Sequence, residues 1–137
     1  MARKKKARRR SVFLSHSSRD TYWAKYMSAR LQECGAEVFL DAQKIDAGAD
    51  FEGEILAALS QADEMVLYAT PWALESAYVM FEVGIAATAR VPIVTILHGL
   101  TLDEFQARHL PNYLKSRSII TIDQLDEFID QFRRRAR

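Results

Sequence analysis

A chain of 137 residues, 49% of them hydrophobic, is long enough to bury one core of its own and too short for two ordinary domains. The single cysteine, Cys34, excludes an internal disulfide and a cysteine-rich zinc site, and no apolar run approaches the roughly 20 residues of a membrane helix. The net charge of +1 conceals a segregation: residues 1–10 hold seven basic side chains and residues 133–137 hold four, which leaves eight basic against 18 acidic between Ser11 and Phe132.

That charge pattern divides the chain into a basic, disordered tip over residues 1–10, a folded body over 11–133 and a basic C-terminal tip over 134–137. The tips read either as solvated tails that pair with the acidic body of a neighbouring copy, or as a nucleic-acid or anionic-surface contact. Cys34 reads as a small buried hydrophobe ahead of the turn residue Gly35. A lone thiol, with no signal peptide in view, points to a reducing, cytoplasmic setting away from membranes.

Ser11–Leu14 forms an apolar run that predicts a first strand. Trp23, Tyr26, Met27, Ala29 and Leu31 give helical spacing to Asp20–Cys34, with Ser17 placed to cap it and Gly35 to end it. A second strand, Glu37–Leu40, closes on Asp41, and a polar loop containing Gly48 follows. Phe51, Ile55, Leu56 and Leu59 predict a helix over Asp50–Ser60. Glu64–Ala69 is the third strand, and Pro71 suits the first turn of a helix running to Ala89. Pro92–Leu97 is the fourth strand, Leu102–His109 a short helix stopped by Pro111, Ser118–Ile122 the fifth strand and Gln124–Arg135 a final amphipathic helix.

Five continuous apolar strands alternating with helices predict an α/β fold, a parallel sheet covered on both faces. Right-handed crossovers leave few topologies, and the flavodoxin-like order 2-1-3-4-5 is the expected one. Its switch point lies between strands 1 and 3, so a ligand is expected where the turn after strand 1 meets the turn and helix after strand 3.

Ser15, His16 and Ser17 follow strand 1, Asp41 ends strand 2, and Trp72, Ser76, Tyr78 and Glu82 follow strand 3. Glu82 is the only charged residue between Glu75 and Arg90, inside an otherwise apolar helix. A buried carboxylate needs a partner or a cleft. Two readings stay open at this point: a site residue, or an acceptor for amides or hydroxyls near strand 1. Helical spacing places Glu75, Tyr78 and Glu82 on one face, and a ring beside a carboxylate suits a flat cationic heterocycle on a sugar. His16 reads first as a turn or positioning residue, and Trp72 as a wall or core residue. Scattered His16, His98 and His109 predict no metal site. No nucleophile elbow, Walker loop or dinucleotide fingerprint is present.

Four segments in order, VFLSHSSRD at 12–20, FLDAQKIDAGADF at 39–51, TPWALESAYVMFEVGIA at 70–86 and VPIVTIL at 91–97, resemble a Toll/interleukin-1 receptor (TIR) domain of the bacterial, NAD-cleaving type. The resemblance spans about residues 11–133. It implies the flavodoxin-like fold and two kinds of function. One is an NAD glycohydrolase or ADP-ribosyl cyclase of bacterial immunity or stress signalling, with NAD as substrate and no cofactor. The other is a non-enzymatic scaffold that binds further TIR domains. Glu82 matches the family's catalytic glutamate, and Tyr78 stands where such enzymes often carry Trp. The resemblance further implies substrate contacts from Ser15, His16, Ser17, Asp41, Lys44, Trp72, Ser76 and Tyr78, and self-association through the BB loop, Ala42 to Asp50. A nucleoside deoxyribosyltransferase-like hydrolase is a third reading, because such folds also set a Glu beside C1′ of a sugar.

Overall fold

Strand β3, Glu64–Ala69, is buried at all six positions, and the sheet is laid out around it. The computed structural model describes residues 9–40, 51–115 and 118–135. Strands β1 (Ser11–Ser15), β2 (Glu37–Leu40), β3, β4 (Ile93–Leu97) and β5 (Ser118–Thr121) pair in the order β2-β1-β3-β4-β5, all parallel. This is the expected flavodoxin-like arrangement.

The period-two alternation of a strand sends neighbouring side chains to opposite faces, and here both faces are covered. Phe13, Met65, Leu67, Ala69, Ile93 and Leu97 pack under helices α2 (Phe51–Ser60) and α4 (Ala77–Ala89) through Ile55, Leu59, Val79, Val83 and Ala86. Val12, Leu14, Val66, Tyr68 and Ile96 pack under α1 (Thr21–Glu33) and α7 (Leu125–Arg135) through Met27, Leu31, Phe128 and Phe132. The edge strand β2 departs from double-sided burial: Glu37 and Phe39 are exposed, and only Val38 and Leu40 are partly covered.

Several expected boundaries shift for local reasons. The helix expected from Asp20 begins at Thr21, because Ser17 accepts from the Arg19 amide at 3.2 Å and caps a separate 3-10 turn, Ser18–Asp20. The helix expected from Pro71 to Ala89 is two helices. Thr70 caps α3, Pro71–Leu74, by accepting from the Ala73 amide at 3.2 Å, and Ser76 restarts the chain as the cap of α4 by accepting from Val79 at 3.2 Å. Helix α5 (Leu102–Ala107) stops short of the expected His109, and a further short helix, α6 (Asn112–Lys115), follows Pro111, which the sequence suggests only as a stop. Strand β5 ends at Thr121, where a 3-10 turn, Ile122–Gln124, leads into α7.

At the amino end of the sheet, Glu64 is 2% exposed and takes Arg10 Nε at 3.4 Å and Arg135 Nη1 at 3.6 Å. The Asp63 carboxylate accepts from the Ser11 amide at 2.7 Å. The carboxyl pair at 63–64 therefore fixes both the start of β1 and the end of α7. It does so at the end of the sheet opposite the carboxyl ends, where a ligand is expected.

Candidate functional site

The carboxyl ends of β1 and β3 form the switch point, and the turn after β1 is buried there. Ser15 is fully buried, and His16 and Ser17 are 4% and 7% exposed. Glu82, one turn beyond Tyr78 on α4, is 1% exposed between Val79, Val83 and Ala86. The Ser15 hydroxyl donates to Glu82 Oε1 at 2.6 Å, across 67 residues of sequence. A hydrogen bond of this length to a buried carboxylate is a strong one, and it ties α4 to the end of β1. Residue type and spacing explain why these groups meet. Ser15 shares the face of Phe13, which looks toward α4, and Glu82 lies on the buried stripe of that helix.

The other expected site residues divide. Tyr78 is half-buried, packs on the core under α4 and lies 6.1 Å from the Phe81 ring. Ser76 uses its hydroxyl as the α4 cap. Glu75 does not share a helix face with Tyr78 and Glu82: it is the C-cap of α3, its side chain is 70% exposed, and it faces Arg108 at 3.7 Å. The break between α3 and α4 takes it out of register. Trp72 is 48% exposed and lines a cleft whose lining includes neither Ser15 nor Glu82. Asp41, Lys44 and the rest of the BB-loop segment lie outside the described residues.

That other cleft, about 190 Å³, is lined by Asp20, Trp23, Tyr68, Thr70, Pro71, Trp72, His98 and Gly99. Thr70 donates to Asp20 Oδ2 at 2.5 Å and so clasps the turn after β1 to the turn after β3. The Tyr68 hydroxyl meets His98 Nδ1 in a short hydrogen bond. Burial, reinforced by the charge of Asp20, pushes the Tyr68 phenol well above its usual range. Which of the two donates follows the His98 tautomer, since a phenol oxygen both donates and accepts. Sequence reasoning missed this group. The sequence carries no joint signal for it: Tyr68 pairs with Ile96 and His98 follows the end of β4, so their meeting depends on strand register.

A family model described as TIR domain matches residues 12–135. The chain belongs to the TIR domain family. Similar solved structures include the TIR domain of the Toll-related receptor TRR-2 from Hydra magnipapillata, 15% identical, with a TM-score of 0.68 over 89% of this chain and 97% of that one. A TIR-STING receptor from C. gigas is 20% identical, with a TM-score of 0.67 over 88% of this chain, which spans 39% of the receptor chain. The CMP N-glycosidase BcmB of Clostridium botulinum is 18% identical, with a TM-score of 0.59 over 89% of this chain and 97% of that one. At these identities the likeness is one of fold. No match is found among curated proteins. Among the described residues of this TIR domain no helix is long and apolar enough to cross a membrane, and no group of His, Cys, Asp and Glu is arranged to hold a metal ion.

Proposed function

We propose that this TIR domain is an NAD glycohydrolase that breaks the bond between nicotinamide and ribose, with Glu82 as its catalytic residue. The observation that carries the reading is a carboxylate buried to 1% exposure at the switch point of the sheet and held by Ser15 at 2.6 Å. When the C1′–N bond breaks, nicotinamide leaves with the bonding electrons and becomes neutral, so no strong general acid is needed. Positive charge builds on the ribose. A fixed carboxylate stabilises it more than water does, because no reorganisation is needed as the charge appears. Water then adds to C1′ and loses a proton to give ADP-ribose, or an internal nucleophile closes a cyclic product.

In this reading Ser15 positions Glu82, while His16 and Ser17 meet ribose or phosphate oxygens and Tyr78 offers a ring beside the carboxylate. Ser76 acts through the start of α4, and Trp72 lines the neighbouring cleft. Asp41 and Lys44 shape the BB-loop edge, and Ala42 to Asp50 joins neighbouring copies in an assembly that activates the enzyme. The cytoplasm, with bacterial immunity or stress signalling as the role, is the setting proposed for it.

The fold likeness to a CMP N-glycosidase favours a second reading, in which the same carboxylate serves another nucleotide N-glycosidic bond. Incubating concentrated protein with NAD or with CMP and separating the released base by chromatography tests both. Nicotinamide release supports the first reading, cytosine release replaces it with the second, and neither product at any protein concentration leaves a TIR scaffold in which Glu82 is structural.

A further inference from the structure

The cleft between the start of α1 and the exits of β3 and β4 has the makings of a cation site, and Glu82 is not among its lining residues. Asp20 is 6% exposed, and among the described residues its carboxylate accepts the Thr70 hydroxyl alone, at 2.5 Å. Among the described residues no Lys, Arg or His pairs with it. The start of α1 supplies a partial positive charge, about half a unit, which leaves much of a buried carboxylate's charge uncompensated. Four rings share the cleft with it. His98 lies edge-on to Trp23 at 5.4 Å and to Tyr68 at 5.8 Å, and Trp72 lines the same opening. Trp23 and Trp72, 42% and 48% exposed, line this one cleft together and so present a shared aromatic surface. The chain already sets a cation on one of these faces: the Arg19 guanidinium lies 5.8 Å from the centre of the Trp72 ring.

We propose that this cleft binds a small organic ammonium cation, most favourably a methylated one, with Asp20 as counter-charge and Trp23, Trp72, Tyr68 and His98 as walls. A hard metal ion would need several oxygen ligands, and the cleft offers one carboxylate. A methylated ammonium is weakly hydrated and takes its stabilisation from ring faces and a single buried charge. Its volume also suits a cleft of about 190 Å³. The proposal stands independently of the role assigned to Glu82.

The chain has two tryptophans, Trp23 and Trp72, and both line the cleft, so intrinsic fluorescence reports it directly. Choline chloride is titrated into the full chain against sodium chloride at equal ionic strength and against 3,3-dimethyl-1-butanol, the neutral isostere of choline. A saturable change in emission is expected with choline, with the alcohol binding about tenfold more weakly or worse. Asp20→Asn keeps an acceptor for Thr70 and weakens choline binding about tenfold. Trp72→Leu, at a half-exposed position that folding tolerates, weakens it by a similar factor and reads out through Trp23. Glu82→Gln leaves choline binding unchanged. No saturable response to choline, an equal response to the alcohol, or unaltered binding in both Asp20→Asn and Trp72→Leu would each overturn the proposal.

Discussion

Replacing Ser15 by Ala removes one hydroxyl and leaves everything else at the end of β1 in place. Ser15 is fully buried, and its partner Glu82 is 1% exposed, so water does not replace the lost donor without rearrangement. Hydrogen bonds to charged groups contribute about 1.5–3 kcal/mol, and this one, at 2.6 Å between two buried groups, falls within that range. The expected loss is about 2 kcal/mol, a fall in Tm of roughly 6–10 °C for a domain of this size. Glu82→Gln keeps an acceptor for the same hydroxyl and removes a buried charge, so its expected cost is below about 1 kcal/mol. The double variant should fall short of the sum of the two, because the second change acts on a bond the first has already altered. Urea unfolding followed by far-UV circular dichroism measures all three. A loss below about 0.5 kcal/mol for Ser15→Ala would refute the reasoning, since it would mean that the bond does not hold the carboxylate.

Tyr68 titrates above its usual range when folded, so the folded state binds the extra proton and stability is fully present below the ordinary phenol value. It should fall by about 1.4 kcal/mol per pH unit once pH rises above about 10, and Tyr68→Phe should remove that slope in alkaline unfolding curves. Glu64→Gln should destabilise by about 1 kcal/mol at low salt, less in 0.5 M sodium chloride, because Arg10 and Arg135 are partly exposed and screening weakens their pull. Thr95 is fully buried on β4, and among the described residues its hydroxyl has no hydrogen-bond partner, so Thr95→Val should raise stability by about 1 kcal/mol in the same urea assay.

The fold was legible because burial on both faces of a parallel sheet writes itself as continuous apolar runs such as Glu64–Ala69, and each of the five strands sits where its run predicts. What escaped is local. The chain from Pro71 to Ala89 has no residue that forbids one long helix, and its division depends on hydroxyls that cap from Thr70 and Ser76, a choice made by packing against β3. Glu75 carried the wrong phase for the same reason. Glu82 was conspicuous as a charge among apolar neighbours, and its partnership with Ser15 follows from topology alone. Of the two readings open in the sequence, the structure shows the acceptor, a carboxylate that takes a hydroxyl near β1, and the catalytic role is the one proposed. The cleft of Asp20, Tyr68 and His98 was invisible because its members come from three separate segments and read singly as a helix cap, a strand residue and a scattered histidine.

The catalytic role of Glu82 is tested most directly by nicotinamide release from NAD at high protein concentration, wild type against Glu82→Gln, with both proteins shown to be folded. The account predicts turnover by the wild type and a loss of at least about a hundredfold in Glu82→Gln, since the substitution removes the charge and keeps the shape and the Ser15 contact. Equal nicotinamide release by the two proteins would contradict it.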